Sequence, residues 1–154
     1  MNTPDFTISF LVDQTPEEVF NAVNNVRGWW SQGVEGSTEK LNDEFIYRYP
    51  EFHYSKQKLI EVIPNKKVVW LVTDSALTFI KQKDEWTNTK ISFDITQKGN
   101  KTSFRFTHYG LVPQNECFDS CSGGWRQYIS GSLFKLITTG KGEPDEIEEA
   151  ESTK

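Results

Sequence analysis

The chain has 154 residues, 14% of them aromatic, and a formal net charge of −5. That length suits one domain with its own core, and five Trp and eleven Phe supply the rings to fill it. Lys and Arg are scattered and outnumbered, which argues against a nucleic-acid partner, and no apolar run reaches the length of a membrane span, which argues against membrane insertion.

Phe6, Ile8, Phe10 and Val12 alternate with Thr7, Ser9 and Leu11, a period-two pattern that predicts a strand. A helix start follows. Thr15 can cap it, Pro16 suits the first turn, and Glu18 stands three residues after Thr15 as in a capping box. Val19, Phe20 and Val23 form the apolar face of this short helix, which is expected to end near Asn24 and Asn25. Gly28 is placed in the turn beyond, just before Trp29 and Trp30.

From Val34 the chain reads as a meander. Glu44 to Tyr49 alternates, with Phe45, Tyr47 and Tyr49 on one face. Tyr54 to Ile63 makes a second strand, stopped by Pro64 and Asn65, and Lys67 to Thr73 a third, with Val68, Trp70 and Val72 on one face. Asp74 to Asn88 is less regular, with room for a short strand near Leu77 to Ile80. Ile91, Phe93 and Ile95 alternate with polar neighbours. Gly99 and Asn100 make a hairpin turn, and Phe104, Phe106 and His108 share the next inward face.

After Gly110 and Pro113 the period changes. Cys117, Cys121, Trp125, Tyr128, Ile129, Leu133, Leu136 and Ile137 recur at three and four, one face of a long helix ending near Gly140. Gly123 and Gly124 weaken it by about 1 kcal/mol each relative to alanine. A bend or break there, or a group packed closely on the backbone, is expected. Residues 1–140 therefore read as one domain and 141–154 as an acidic, disordered tail. From Glu143 to Glu151 that tail carries six acids and no base.

The order of elements predicts an α+β fold. Several local pieces sharpen it. They are Thr15-Pro16-Glu17-Glu18-Val19-Phe20, Trp29-Trp30, Glu61-Val62-Ile63-Pro64 running into Val68-Val69-Trp70, Lys101-Thr102 leading to Thr107-His108-Tyr109-Gly110-Leu111, and Gly124-Trp125. In this order and spacing, over roughly residues 4–139, they resemble the helix-grip superfamily of START-like lipid-transfer domains, polyketide cyclases and the birch-pollen allergen. Within it the chain is most similar to the homologues of the activator of heat-shock protein 90 ATPase. The resemblance implies a curved antiparallel sheet of about six to seven strands around a long C-terminal helix, with short N-terminal helices. It implies a hydrophobic ligand cavity between sheet and helix, and no single reaction. The activator that names the family carries an additional N-terminal chaperone-binding domain that has no counterpart in this sequence.

The residues expected to face that cavity are Trp30, Phe45, Tyr47, Trp70, Phe93, Phe104, Phe106, His108, Trp125 and Ile129. Tyr47, Trp70, Trp125 and His108 would supply its polar groups. The opposing possibility is a filled core, with Trp29 and Trp30 as its plug. His108 is the one candidate for catalysis, as general base or as donor to a ligand carbonyl. It competes with a plain role as a core-edge histidine bonded to backbone. His53 reads as a loop or strand-start residue. Asp94 and Arg105 read as a solvated cross-strand pair.

Cys117 and Cys121 are expected to be free thiols, small apolar residues facing the sheet, since a disulfide across one helical turn would strain the helix. No second pair completes a metal site, and no cofactor motif is present. The N-terminus lacks a basic start and a long apolar run, so a cytoplasmic location is expected. The expected function is binding of a small hydrophobic or amphipathic molecule. The alternatives are a cavity-based cyclase- or hydrolase-like enzyme using His108, and an interaction module regulating a chaperone ATPase. A homodimer stays open.

Overall fold

The computed structural model describes residues 5–49, 52–81 and 83–145. Strand β1 (Phe6–Val12) is followed by helices α1 (Pro16–Asn24) and α2 (Val26–Trp29). Strands β2 (Glu35–Gly36), β3 (Glu44–Tyr49), β4 (His53–Ile63), β5 (Lys67–Leu77), β6 (Lys90–Lys98) and β7 (Lys101–Tyr109) come next. The chain then forms one long helix over residues 118–139. It comprises α3 (Phe118–Trp125), a π-helical stretch (Arg126–Leu133) and α4 (Phe134–Thr139). The sheet order is β1-β7-β6-β5-β4-β3-β2, every neighbouring pair antiparallel. This is the α+β helix-grip architecture that the sequence predicts.

Local chemistry accounts for the elements. At α1 the Thr15 hydroxyl accepts from the Glu18 amide at 3.1 Å and the Glu18 carboxylate accepts from the Thr15 amide at 2.9 Å, a complete capping box. Gly28 lies inside α2 rather than in a turn. Gly99 adopts φ 63°, which the two-residue β6–β7 turn requires. Register sets the core. Ile91 faces His108, Phe93 faces Phe106 and Ile95 faces Phe104 across β6 and β7, and all are buried. Irregularities in the β4–β5 pairing at Lys56/Gln57 and Leu59/Glu61 bend the sheet around the helix.

Several expectations are corrected. The segment expected to be irregular from Asp74 is strand as far as Leu77, and residues 78–81 are turn. Arg105 stands opposite Asp94 in register, but the ion pair of Asp94 is with Lys67, at 3.4 Å. The long helix neither breaks at Gly123 and Gly124 nor has a neighbour pressed on them; a Cβ on Gly124 would meet only the Tyr128 ring, at 4.0 Å. Instead its turns widen just afterwards. The reason lies in spacing. Cys117, Cys121, Trp125, Ile129, Leu133 and Ile137 are all buried and stand four apart. At 3.6 residues per turn each such step drifts about 40°. A π-helical stretch, with i→i+5 bonds such as Phe134 amide to Ile129 carbonyl, absorbs the drift.

Cys117 and Cys121 are joined as a disulfide, with Cα atoms 5.6 Å apart, and are not free thiols. Cys117 precedes the helix with φ −85° and ψ 0°, so the bridge ties the helix entrance rather than two residues of its interior.

Residues 141–145 are not loose. A Cβ on Gly142 would lie 2.4 Å from the Gly28 carbonyl oxygen, so glycine permits the close approach there. The Glu143 amide donates to Ser132 Oγ at 2.6 Å, and that hydroxyl donates to the Trp29 carbonyl at 2.8 Å. The Asp145 amide bonds the Trp30 carbonyl, and the Gln32 amide bonds the Asp145 carbonyl, each at 2.9 Å. The rest of the expected tail, 146–154, lies outside the described residues.

Candidate functional site

Most of the space between sheet and helix is occupied. Trp29, Trp30 and Trp70 stack within 10° of parallel at centroid separations near 6 Å; the Trp30–Trp70 pair is at 5.8 Å and 6°. Phe93 packs edge-on against Trp70 at 4.7 Å and against Phe106 at 5.5 Å, and Phe106 meets Trp125 at 4.7 Å. Phe45, Phe104 and Ile129 are buried in the same cluster. These rings form a filled core.

In front of Trp30 the packing stops, and a pocket of about 460 Å³ remains. Its walls come from several elements. Strand β3 contributes Tyr47 and Tyr49, the start of β4 contributes His53 with Phe52 before it, and the connection from β5 to β6 contributes Phe79 and Trp86. The long helix contributes Ser120, Cys121, Gly124, Trp125, Gln127 and Tyr128, and Asp145 closes one side. Small side chains at 120 and 124 are why the helix leaves room here. Further along, Ile129 and Leu133 fill the corresponding space.

Three polar groups of the lining meet at Asp145. Tyr47 Oη donates to Asp145 Oδ2 at 2.8 Å, and Tyr128 Oη lies 2.9 and 2.8 Å from the two carboxylate oxygens. The two hydroxyls are 3.1 Å apart. Burial, followed by each other's proximity and the Asp145 charge, pushes the Tyr47 phenol well above its ordinary range. Burial and Asp145 also raise the Tyr128 phenol. Both remain neutral donors. His53 stands edge-on to Tyr47 and Trp86, its Nε2 3.2 Å from Ser55 Oγ. Burial lowers its pKa to about 4, so the imidazole is neutral at physiological pH. Trp86 Nε1 is buried without a partner among the described residues, a free donor on a wall ring.

Of the residues expected to face a cavity, Trp30, Tyr47 and Trp125 line this pocket. Phe45, Trp70, Phe93, Phe104, Phe106, His108 and Ile129 lie behind it in the core. His108 is fully buried. Trp125 Nε1–H donates to its Nδ1 at 3.0 Å, which leaves the proton on Nε2 to donate to Thr89 Oγ1 at 2.8 Å. The Thr89 hydroxyl in turn donates to the Trp86 carbonyl at 2.6 Å. Burial, with a smaller push from His53, lowers its pKa to about 3. Every polar atom of this chain of bonds is satisfied within the protein, and the imidazole locks helix, strand and the Trp86 loop together. Of the polar atoms expected in a cavity, only the Tyr47 hydroxyl is at the pocket: the Trp125 donor is spent on His108, and Trp70 Nε1 sits unpartnered in the core.

Sequence reasoning missed Tyr128, His53, Trp86, Phe79 and Asp145. Tyr128 carried a usable signal, since it lies three residues after Trp125 on one helical side. Asp145 carried none: its acidic, aperiodic surroundings resemble any solvated terminus.

Among the described residues no group of three or more His, Cys, Asp or Glu side chains could hold a metal ion. No helix among them is long and apolar enough to cross a membrane.

Comparison with known proteins places this arrangement. The chain has no match among curated protein sequences. The Aha1 dimer from Colwellia psychrerythraea has a similar structure, with a TM-score of 0.72, 22% identity, and 90% of this chain and 99% of that one covered. Protein SSP2350 from Staphylococcus saprophyticus gives a TM-score of 0.66 at 17% identity, covering 91% and 96% of the two chains. Protein MLL2253 from Mesorhizobium loti gives 0.64 at 16%, covering 86% and 96%. These likenesses show the shared fold. A sequence profile described as "Activator of Hsp90 ATPase homolog 1-like protein" matches residues 13–138, most of the chain. With the grip of sheet on helix that the structure displays, this match establishes that the chain belongs to the Activator of Hsp90 ATPase homolog 1-like family.

Proposed function

We propose that this protein binds a small hydrophobic or amphipathic molecule in the pocket between the helix and the β3–β4 end of the sheet. The observation that carries the reading is the pocket itself: about 460 Å³, walled largely by aromatic rings, with the Tyr47 and Tyr128 hydroxyls converging on Asp145. That volume and that distribution of polarity are typical of small-molecule sites. Trp30 separates the pocket from the filled core, so a ligand would meet a rigid floor of stacked rings. The Asp145 carboxylate and the two hydroxyls bonded to it can orient a ligand without performing a reaction on it. The one catalytic candidate, His108, has both ring nitrogens committed to protein partners, which favours binding over turnover.

Native mass spectrometry of the freshly purified protein, followed by denaturing extraction, tests the reading. A discrete extra mass lost on unfolding is expected. A bare chain mass, together with no saturable quenching of tryptophan fluorescence by small apolar molecules, would overturn it. Chaperone-ATPase regulation, the activity in the family's description, is the alternative function for this chain. Pairing of two copies, as in the Colwellia dimer, is a separate expectation compatible with either.

A further inference from the structure

We infer that the pocket selects small organic cations, an amine or quaternary ammonium attached to an apolar or aromatic body. The inference rests on the ligand-binding reading above and narrows its ligand class.

The charge inventory comes first. Among the described lining residues there is no Lys or Arg, and Asp145 is the one carboxylate. His53, the imidazole on the wall, is kept neutral by burial. Asp145 takes part in no ion pair among the described residues. Tyr47 and Tyr128 hold its carboxylate by hydrogen bonds but bring no positive charge to cancel it. The pocket therefore carries an uncompensated negative charge beside apolar walls, where electrostatic interactions are stronger than in water.

The rings act in the same direction. Tyr49, Phe52, Phe79 and Tyr128 present ring surface to the space that the carboxylate borders, with the buried rings of Trp30, Tyr47, Trp86 and Trp125 behind them. A cation over an aromatic face is attracted by the ring quadrupole, most strongly by tryptophan, and more so when desolvated. Carboxylate and rings thus favour one charge sign. A neutral ligand would gain only burial. An anionic ligand would face the Asp145 charge with no opposing cation, and could avoid it only by prising away the 141–145 segment, which Trp30 and Gln32 hold through backbone bonds at 2.9 Å. The size of the pocket, closed behind by the Trp30–Trp70 stack, fits a free small molecule rather than a two-chain lipid bearing an ammonium headgroup.

Two probes of equal shape decide the matter: phenyltrimethylammonium and its uncharged carbon counterpart, tert-butylbenzene. Each is titrated into the full chain, with binding read from quenching of tryptophan fluorescence. The cation is expected to bind about tenfold more tightly than the neutral probe, the size of a desolvated cation–π and carboxylate contribution. In Asp145→Asn most of that preference should vanish, while affinity for tert-butylbenzene stays within about twofold of the unmodified protein, a difference of under half a kcal/mol. Equal affinities in the unmodified protein, or tighter binding of the anion 4-tert-butylbenzoate, would overturn the cation inference and leave the binding reading intact. Failure of every probe to bind would overturn both. Phosphatidylcholine vesicles serve as the lipid arm, and capture of the protein by vesicles in preference to the free ammonium would also overturn the assignment. The comparison of probes in the unmodified protein stands even if Asp145→Asn perturbs folding.

Discussion

On one side of Trp30 the space between sheet and helix is filled ring against ring; on the other, equally aromatic walls leave about 460 Å³ open. Composition does not separate the two regions. Both are built from Trp, Phe and Tyr. What differs is the side the helix presents. Behind Trp30 it offers Ile129, Leu133 and Ile137, which fill the gaps between rings. In front it offers Ser120 and Gly124, too small to reach the opposite wall. A pocket in this fold is made by what is withheld from the helix, not by what is added to the sheet.

The largest effect should come from the filled side. Phe106 is fully buried among Phe6, Phe93 and Trp125, and Phe106→Ala should cost about 3–5 kcal/mol in urea unfolding. A loss under about 1 kcal/mol would mean that this region is not close-packed, and the contrast with the pocket would dissolve.

His108 stands on the boundary. His108→Ala leaves the Trp125 indole N–H without its acceptor and the Thr89 oxygen without its donor, a loss of about 1–3 kcal/mol. The acid response should change with it. Its folded pKa is depressed to about 3 from an ordinary value near 6.5, so the unfolded chain binds the proton first. The stability that neutral His108 contributes is full above about pH 6.5 and is lost as pH falls toward 3. His53, lowered to about 4, adds in the same sense. Melting temperatures measured between pH 7 and 4 should decline, and the His108→Ala variant should decline less steeply. An unchanged slope would remove His108 from the account.

The smallest effect, and the most telling, belongs to the open side. Gly124→Ala should stabilise the helix by up to about 1 kcal/mol, because alanine is the better helix former and its methyl meets only the Tyr128 ring, at 4.0 Å. The same methyl intrudes on the pocket. A higher melting temperature with weaker probe binding is expected. Lower stability would show that the glycine serves packing and not the cavity.

The sequence made the architecture legible because the strands alternate cleanly and the hairpin and capping residues are local signals. Phe93, Phe104 and Phe106 could be assigned to one inward face from period two alone. It could not say which inward rings touch each other and which border empty space, because that depends on the depth of facing side chains across elements far apart in the chain. Trp30 and Tyr47, stacked at 4.1 Å, illustrate the limit: their order along the chain says nothing of that contact. Asp145 was hidden for a different reason. Its position is fixed by Gly142 and Ser132, neither of which carries a recognisable pattern. The disulfide escaped because reading Cys117 as helical placed it one residue too far inside.

The widened turns of the long helix have a consequence for how such a fold is encoded. Six buried residues from Cys117 to Ile137 stand four apart, and at ordinary α pitch the last would point about 200° away from the first. The same side chains on an unwidened helix would aim Ile137 toward solvent while Cys117 still met the sheet. Hydrophobic content alone therefore does not define the gripping surface; the winding rate does. The helix behaves as a screw cut to match its nut, and its thread is written in the spacing of residues, not in their identity.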